Sequence, residues 1–291
     1  MTEESGISNF GLSLGIVASD FNNDGFPDVY ISNDFSSPDF MYMNNGDGTF
    51  TNGTFDADLG QEENGMGMAI GFIGKQQKLA MLVTSIQTRP ECNAGESLLR
   101  SGNRLYYYVG DRKFVEAVDE AGLRNSNWGW GVNFIDTTNA GKLDVVSAAG
   151  MDIPWADSPD CWKNDPIHLW LGDGLGSFTE KAKVAGINNT EPSKGVVVFD
   201  ADNDGDIDLL VGSGGNNRLS NRGELNHRLF LNDGKANFTH FADAFPVFEY
   251  NTGVMVPMDY DLDGDLDVFV GARNTPLKYG VTPASALYQN D

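Results

Sequence analysis

The stretch "DADNDGDIDL" occupies residues 200–209. Six of its first nine residues are Asp or Asn, five of them Asp, and Gly205 takes the sixth place. Carboxylates this close repel one another unless something of opposite charge gathers them. The spacing says what that is. In D-x-[DN]-x-D-G-x-x-D, side-chain oxygens at places 1, 3, 5 and 9 converge with the backbone carbonyl of place 7, and the sixth-place Gly permits the sharp turn. Six to eight hard oxygens at flexible angles is what Ca²⁺ takes, whereas Mg²⁺ prefers few carboxylates and several waters.

The pattern occurs three times in identical register. The first copy offers Asp20, Asn22, Asp24, the carbonyl of Phe26 and Asp28. The second offers Asp200, Asp202, Asp204, the carbonyl of Asp206 and Asp208, and the third Asp259, Asp261, Asp263, the carbonyl of Asp265 and Asp267. Asp/Gly turns capped by their own side chains are the plain alternative, and three copies in one register favour the cation. An EF-hand is excluded twice over. Its twelfth-place Glu is replaced by Ile31, Val211 and Val270, and the flanks are β-branched strands instead of helices.

Outward from the loop, a larger unit repeats. "GIVASDFNNDGFPDVYISND" (15–34), "GVVVFDADNDGDIDLLVGSG" (195–214) and "GVMVPMDYDLDGDLDVFVGA" (253–272) each read Gly, apolar run, acidic loop, apolar run. "GMAIGFIGKQQKLAMLVTS" (67–85) and "GVNFIDTTNAGKLDVVSAA" (131–149) are decayed copies. The loops thus start near residues 20, 72, 136, 200 and 259. The copy at 136 keeps Asp136 and Asp144 but has Thr138 and Ala140 between them, so it is expected to bind weakly or not at all. The copy at 72 has no carboxylate left and carries Lys75 and Lys78.

A third, aromatic-rich segment follows each pair, then a Gly/Asp turn and a Phe opening a fourth: "FMYMNNGDGTF" (40–50), "NRLYYYVGDRKF" (103–114), "HLWLGDGLGSF" (168–178) and "HRLFLNDGKANF" (227–238). Alternating apolar positions around such turns are hairpin signals. The unit is therefore four antiparallel strands in about 60 residues, the scale of a propeller blade. One four-stranded sheet cannot bury both faces, and stacked blades do so while leaving only short edges. The expected fold is an all-β β-propeller of about five four-stranded blades forming a single domain over 1–291. A β-sandwich does not explain five units in phase, and a β-helix has shorter periods.

Composition agrees. The 30 Asp outnumber the 12 Glu, and with 35 Gly they mark a turn-rich β chain and not a helical bundle. At 40% hydrophobic the chain can bury a core despite its net charge of −23. That charge excludes nucleic acid and anionic membranes as partners, since no basic surface is present to release counterions. No apolar run is long enough to span a bilayer.

With their flanking strands, these loops resemble the FG-GAP repeats of integrin alpha subunits, also called VCBS repeats. "GDGTFT" followed by an A-G-[IL] ending, as in "EAGL" (120–123) and "VAGI" (184–187), resembles the cartilage-acidic-protein-like branch and its large bacterial relatives, as does "GARNTPLKYGVTPASALYQND" (271–291). The resemblance covers essentially the whole chain. It implies a calcium-stabilised β-propeller, extracellular or on the cell surface, used for adhesion or for capture of a protein or carbohydrate ligand. Integrin-type propellers have seven blades and this chain has five repeats, with both termini inside a blade. A piece of a longer propeller is expected, and a five-bladed ring closed by shared termini is the alternative.

Other features stay secondary. Cys92 and Cys161 follow the second strand of their blades at corresponding places, so a disulfide between them is expected on even terms with free thiols. The same insertions carry Trp155, Trp162, Arg89 and Arg100, where a ligand or simple packing would use them alike. Trp128 and Trp130 open an inner strand and read as core. His168, His227 and His240 are not clustered and read as strand-edge residues. No G-x-S-x-G, H-E-x-x-H or Walker-type motif occurs, and Glu62 and Glu63 are the only acidic pair entering an inner strand. A non-catalytic binding module is therefore expected. A propeller-type lyase or glycosidase, or a structural spacer in a larger surface protein, are the alternatives.

Overall fold

The computed structural model describes residues 2–8, 10–35, 37–54, 57, 59, 64–87, 102–151, 164–214, 225–276, 278 and 280–290. The fold is all-β, of the β-propeller class: five small antiparallel sheets, each a blade. The first is β1 (Leu12–Ser19), β2 (Asp28–Asp34), β3 (Phe40–Asn44) and β4 (Phe50–Asn52). The second is β5 (Met68–Ile73), β6 (Lys78–Val83), β7 (Arg104–Gly110) and β8 (Lys113–Glu116). The third is β9 (Gly129–Ile135), β10 (Asp144–Ala149), β11 (His168–Gly172) and β12 (Phe178–Glu180). The fourth is β13 (Ser193–Phe199), β14 (Asp208–Ser213), β15 (Arg228–Asn232) and β16 (Phe238–Phe241). The fifth has three strands, β17 (Asn251–Met258), β18 (Asp267–Asn274) and β19 (Ala286–Tyr288), in sequence order like the others.

The chain divides into two compact units, 1–129 with 173–178, and 130–172 with 179–291. In the first, Tyr30 and Met41 of one blade pack with Met81, Val83 and Phe114 of the next. In the second, one cluster joins Ile135, Leu169 and Ala182 to Leu209, Phe230 and Phe238, and another joins Phe199, Leu210 and Leu229 to Val268 and Val270. In blades three and four the second strand is buried on both faces, which is why its apolar run is continuous: all six residues of β10 and of β14 are buried.

The Gly that opens each intact repeat marks a kink in the inner strand. The β1/β2 register shifts between Ser13 and Gly15, the β13/β14 register between Ser193 and Gly195, and the β17/β18 register between Asn251 and Thr252 and again between Thr252 and Val254, across Gly253. Gly131 has a different reason. A Cβ there would lie 2.7 Å from the Lys194 carbonyl oxygen of β13, and the Asn133 amide donates across the same seam to Val196 O at 2.9 Å. Glycine thus lets β9 approach β13. Replacing Gly131 with Val is expected to destabilise the protein by about 1–3 kcal/mol, the usual cost of overpacking, read as a lowered Tm in thermal unfolding.

Candidate metal centres in the blade loops

The three Asp-rich stretches are the loops joining the first and second strands of blades one, four and five. Their backbones match. The fourth place is left-handed at Asn23, Asn203 and Leu262 (φ 59°, 60° and 65°), and the sixth at Gly25, Gly205 and Gly264 (φ 92°, 91° and 103°). The first Asp holds this turn. Its Oδ2 accepts the amide of the sixth-place Gly at 2.8 Å in Asp20, 3.0 Å in Asp200 and 3.3 Å in Asp259.

The ninth Asp does more. Asp28, Asp208 and Asp267 are fully buried. One oxygen of each accepts the amide of the loop's second residue: Phe21 at 3.1 Å, Ala201 at 2.8 Å and Tyr260 at 3.0 Å. The other accepts an amide at the end of the third strand: Asn44 at 2.8 Å, Asn232 at 2.8 Å and Asn290 at 2.9 Å. Each carboxylate clamps its loop to the sheet. Burial pushes Asp28 and Asp208 above the usual carboxylate range, Asp208 to about 6.

The decayed repeat at 136 keeps both devices. Asp136 Oδ2 accepts the Gly141 amide at 2.7 Å, and Asp144 accepts Thr137 N at 3.2 Å and Gly172 N at 2.7 Å. Asn139 and Gly141 take the same left-handed conformations. Places 1 and 9 therefore build the loop, and it persists where Thr138 and Ala140 have replaced the acidic residues of places 3 and 5. The repeat at 72 differs. Its strands pair through to Ile73 and Lys78, so a four-residue turn replaces the loop, and Phe72 belongs to β5.

A cation fits two of the loops best. Carboxylate oxygens of Asp200, Asp202 and Asp204 lie within 4.8 Å of one another, as do those of Asp259, Asp261 and Asp267. Asp200 Oδ1 and Asp259 Oδ1 are buried and accept no hydrogen bond. A buried carboxylate oxygen without a donor is costly unless a positive charge satisfies it. Burial and the charges of Asp204 and Asp200 raise Asp202, and burial with Asp263 and Asp267 raises Asp261, the direction that crowded carboxylates take without a neutralising charge. The first loop is more self-satisfied: Asn22 Nδ2 donates to Asp24 Oδ2 at 2.8 Å, and Asp20 Oδ1 accepts the Asp24 amide at 3.0 Å.

The side chains at places 4 and 7 lace adjacent loops together, a role the ligand spacing does not announce. Asn139 donates to Asp206 Oδ1 at 2.7 Å, and Asn203 donates to Asp265 Oδ1 at 2.6 Å. The third-strand Asn adds a second stitch, from Asn232 Nδ2 to Thr137 O at 3.0 Å and from Asn290 Nδ2 to Ala201 O at 3.0 Å. The recurring Asn at both places was the available signal.

Cys92, Cys161, Trp155, Trp162, Arg89, Arg100, Glu62 and Glu63 lie outside the described residues. Trp130 packs as expected against the core of its blade. His227 is no edge residue. It is buried against Phe245, Phe248 and Tyr288, ring centres 4.6 to 6.0 Å away, and burial lowers it to about 4.

Residues 20–71 and 151–211 match the model of the FG-GAP-like repeat. The chain carries FG-GAP-like repeats. The matched segments hold two of the three complete loops, those at 20 and 200. Mouse and human cartilage acidic protein 1 are 24% identical to this chain over 280 residues, covering 89% of it but only 39% and 38% of their own lengths. Among solved structures, an Agrocybe aegerita lectin described as recognising non-reducing terminal N-acetylglucosamine is 15% identical (TM-score 0.47, 90% of this chain and 63% of that one). A thermostable family-43 glycoside hydrolase is 8% identical (TM-score 0.49, 96% and 88%). Neither structural likeness bears on function.

Two outcomes test the clamp. Asp144→Ala leaves the Thr137 and Gly172 amides unpaired, at about 1–3 kcal/mol each, so chemical denaturation should show a loss of about 2–6 kcal/mol, the same with and without calcium. Asp208 titrates near 6 in the folded protein and near 3.8 when unfolded. The native state takes up this proton first, so it is favoured as pH falls through 6. In EDTA, the Tm of the wild type relative to Asp208→Asn should therefore rise between pH 7 and pH 5.

Proposed function

We propose that the chain is a calcium-stabilised, non-catalytic binding or adhesion module that works outside the cell or at its surface, with a protein or a glycan as ligand. The observation that carries the proposal is the pair of tight carboxylate clusters in the fourth and fifth blades, each with a buried oxygen that no hydrogen bond among the described residues satisfies. Asp200, Asp202 and Asp204 with the Asp206 carbonyl and Asp208 would hold one ion. Asp259, Asp261 and Asp263 with the Asp265 carbonyl and Asp267 would hold another. Asp20, Asn22 and Asp24 with the Phe26 carbonyl and Asp28 would hold a third, which binds more weakly because its amide already serves Asp24. The ion supplies positive charge and a rigid cross-link.

The same chemistry supports an extracellular setting. A chain of net charge −23 is self-repelling, and extracellular modules bind calcium near 10⁻⁴ to 10⁻³ M, a range where blood-like calcium would keep the loops filled. The likeness to cartilage acidic protein 1 supports this assignment, as does the composition, which is unsuited to nucleic acid. No helix among the described residues is long and apolar enough to cross a membrane.

Thermal unfolding in EDTA, then in millimolar Ca²⁺ or Mg²⁺, tests the proposal. Millimolar calcium, at about 1–10 times a Kd in that range, would stabilise the fold by about 0.4–1.4 kcal/mol per site, a rise of a few degrees in Tm that magnesium does not reproduce. Asp202→Asn and Asp261→Asn should each remove part of that rise. An equal Tm in all three buffers would overturn the calcium assignment.

A further inference from the structure

The loop end of blade two is basic where the same end of the other blades is acidic. β5 and β6 meet in the turn 74–77, and β7 and β8 in the turn 111–112. Antiparallel order puts both turns at one end of the sheet. They gather Lys75, Lys78, Arg112 and Lys113 against one carboxylate, Asp111. The corresponding loops of blade one hold Asp20, Asp24, Asp28 and Asp47 with no Lys or Arg, and those of blade three hold Asp136, Asp144 and Asp173 against Lys142. In a chain of net charge −23 the inversion is local.

A pocket of about 500 Å³ opens beside the first turn, lined by Ile73, Lys75, Gln76, Lys78, Tyr107 and Leu175. That is the size of a small-molecule site. Leu175 comes from the turn 173–177, which belongs to the same compact unit as blade two. Gln77 fixes the blade-two turn, its backbone amide and its Nε2 both donating to Gly74 O at 3.0 and 3.1 Å. Lys75 and Gln76 are thereby left to the pocket. Neither Lys75 nor Lys78 pairs with a carboxylate among the described residues, and the Tyr107 hydroxyl makes no hydrogen bond there. Gly176 gives that hydroxyl room, since a Cβ at this place would lie 3.2 Å from it. Burial and the charge of Asp173 push the phenol up, so at neutral pH it keeps its proton and can donate it. Asp173 is itself committed, its Oδ1 accepting the amides of Leu175 at 2.6 Å and Ser177 at 3.1 Å.

We infer that blade two binds a glycan through one carboxylated sugar ring seated in this pocket. The inference gives the proposed binding module a ligand class and rests on that reading. The ammonium groups of Lys75 and Lys78 take the carboxylate, and charge-assisted hydrogen bonds of this kind are the strong ones. The Gln76 amide, which donates and accepts, and the Tyr107 hydroxyl serve the sugar hydroxyls. Ile73, Leu175 and the Tyr107 ring offer an apolar wall to the C–H face of the sugar. An acidic peptide would use the lysines and leave that wall and Gln76 idle. A polyanion is opposed by the acidic loops of blade one in the same unit, so the site takes one carboxylate and not a run of them.

The test titrates the whole chain, in millimolar calcium and low salt, with glucuronate, glucose and N-acetylglutamate, read by saturation-transfer NMR. Glucuronate should saturate in the millimolar range and weaken as salt is added. Glucose, which lacks the charge, and N-acetylglutamate, which lacks the ring, should each bind about tenfold more weakly, the scale of one lost charge-assisted hydrogen bond. The double variant Lys75→Gln/Lys78→Gln should lose glucuronate to the same extent. Both lysines are exposed, so its Tm should stay within a few degrees of the wild type. Tyr107→Phe keeps the ring and should weaken glucuronate less than the double variant does. Equal binding of glucuronate and glucose would overturn the inference, and so would equal binding of N-acetylglutamate. Glucuronate binding that survives in the double variant would place the carboxylate elsewhere and overturn it too. Each of these failures removes the sugar site alone, because the calcium melt tests the module separately.

Discussion

In four of the five blades a single buried carboxylate ties the loop between the first two strands to the rest of the sheet. The ninth-place Asp of the loop, Asp28, Asp144, Asp208 or Asp267, gives one oxygen to the start of its own loop and the other to the far end of the third strand. Three chain segments far apart in sequence meet at one group. Backbone amides in such a place must be paired, and a carboxylate is the one short side chain that accepts from two directions at once. Hydrogen bonding to charge is stronger than between neutral groups, and the burial that strengthens it raises the proton affinity of Asp28, Asp144 and Asp208. The second strand can then run wholly buried, because its first residue is already satisfied.

On that clamp the remaining loop chemistry is layered. The first Asp fixes the turn through the sixth-place amide. In the fourth blade the carboxylates of the first, third and fifth places crowd within 4.8 Å of one another, and in the fifth blade those of the first, third and ninth. Asn at the fourth place and at the third-strand end then stitches each loop of blades three to five to the next. Order passes between neighbouring loops through neutral amides, so electrostatic repulsion between loops is met by donors and not by lysines.

Much of this was legible in the sequence, for identifiable reasons. The Asp-Gly loop has a strict spacing, its flanks are β-branched, and its Phe-opening fourth strand follows a Gly/Asp turn, so repeat, blade and strand order all followed from local pattern. Which Asp residues do structural work was not legible. Asp208 and Asp204 look alike in "DADNDGDIDL", and only the pairing of Asn232 with the first of them separates clamp from cluster. The hairpin at 74–77 was also hidden, because an alignment to its neighbours assumes a loop that strand pairing has consumed. His227 was taken for an edge residue because the aromatic shell around it comes from Phe245, Phe248 and Tyr288, outside its own strand.

The separation of clamp from cluster bears on how such a chain can change over time. Thr138 and Ala140 stand where a full loop has acidic side chains, yet the turn and the strand junction around them are intact. Two substitutions suffice to take the acidic side chains out of a loop without disturbing the blade that carries it, and two would suffice to restore them. The acidic content of the loops is therefore free to drift repeat by repeat while the scaffold stays under constraint.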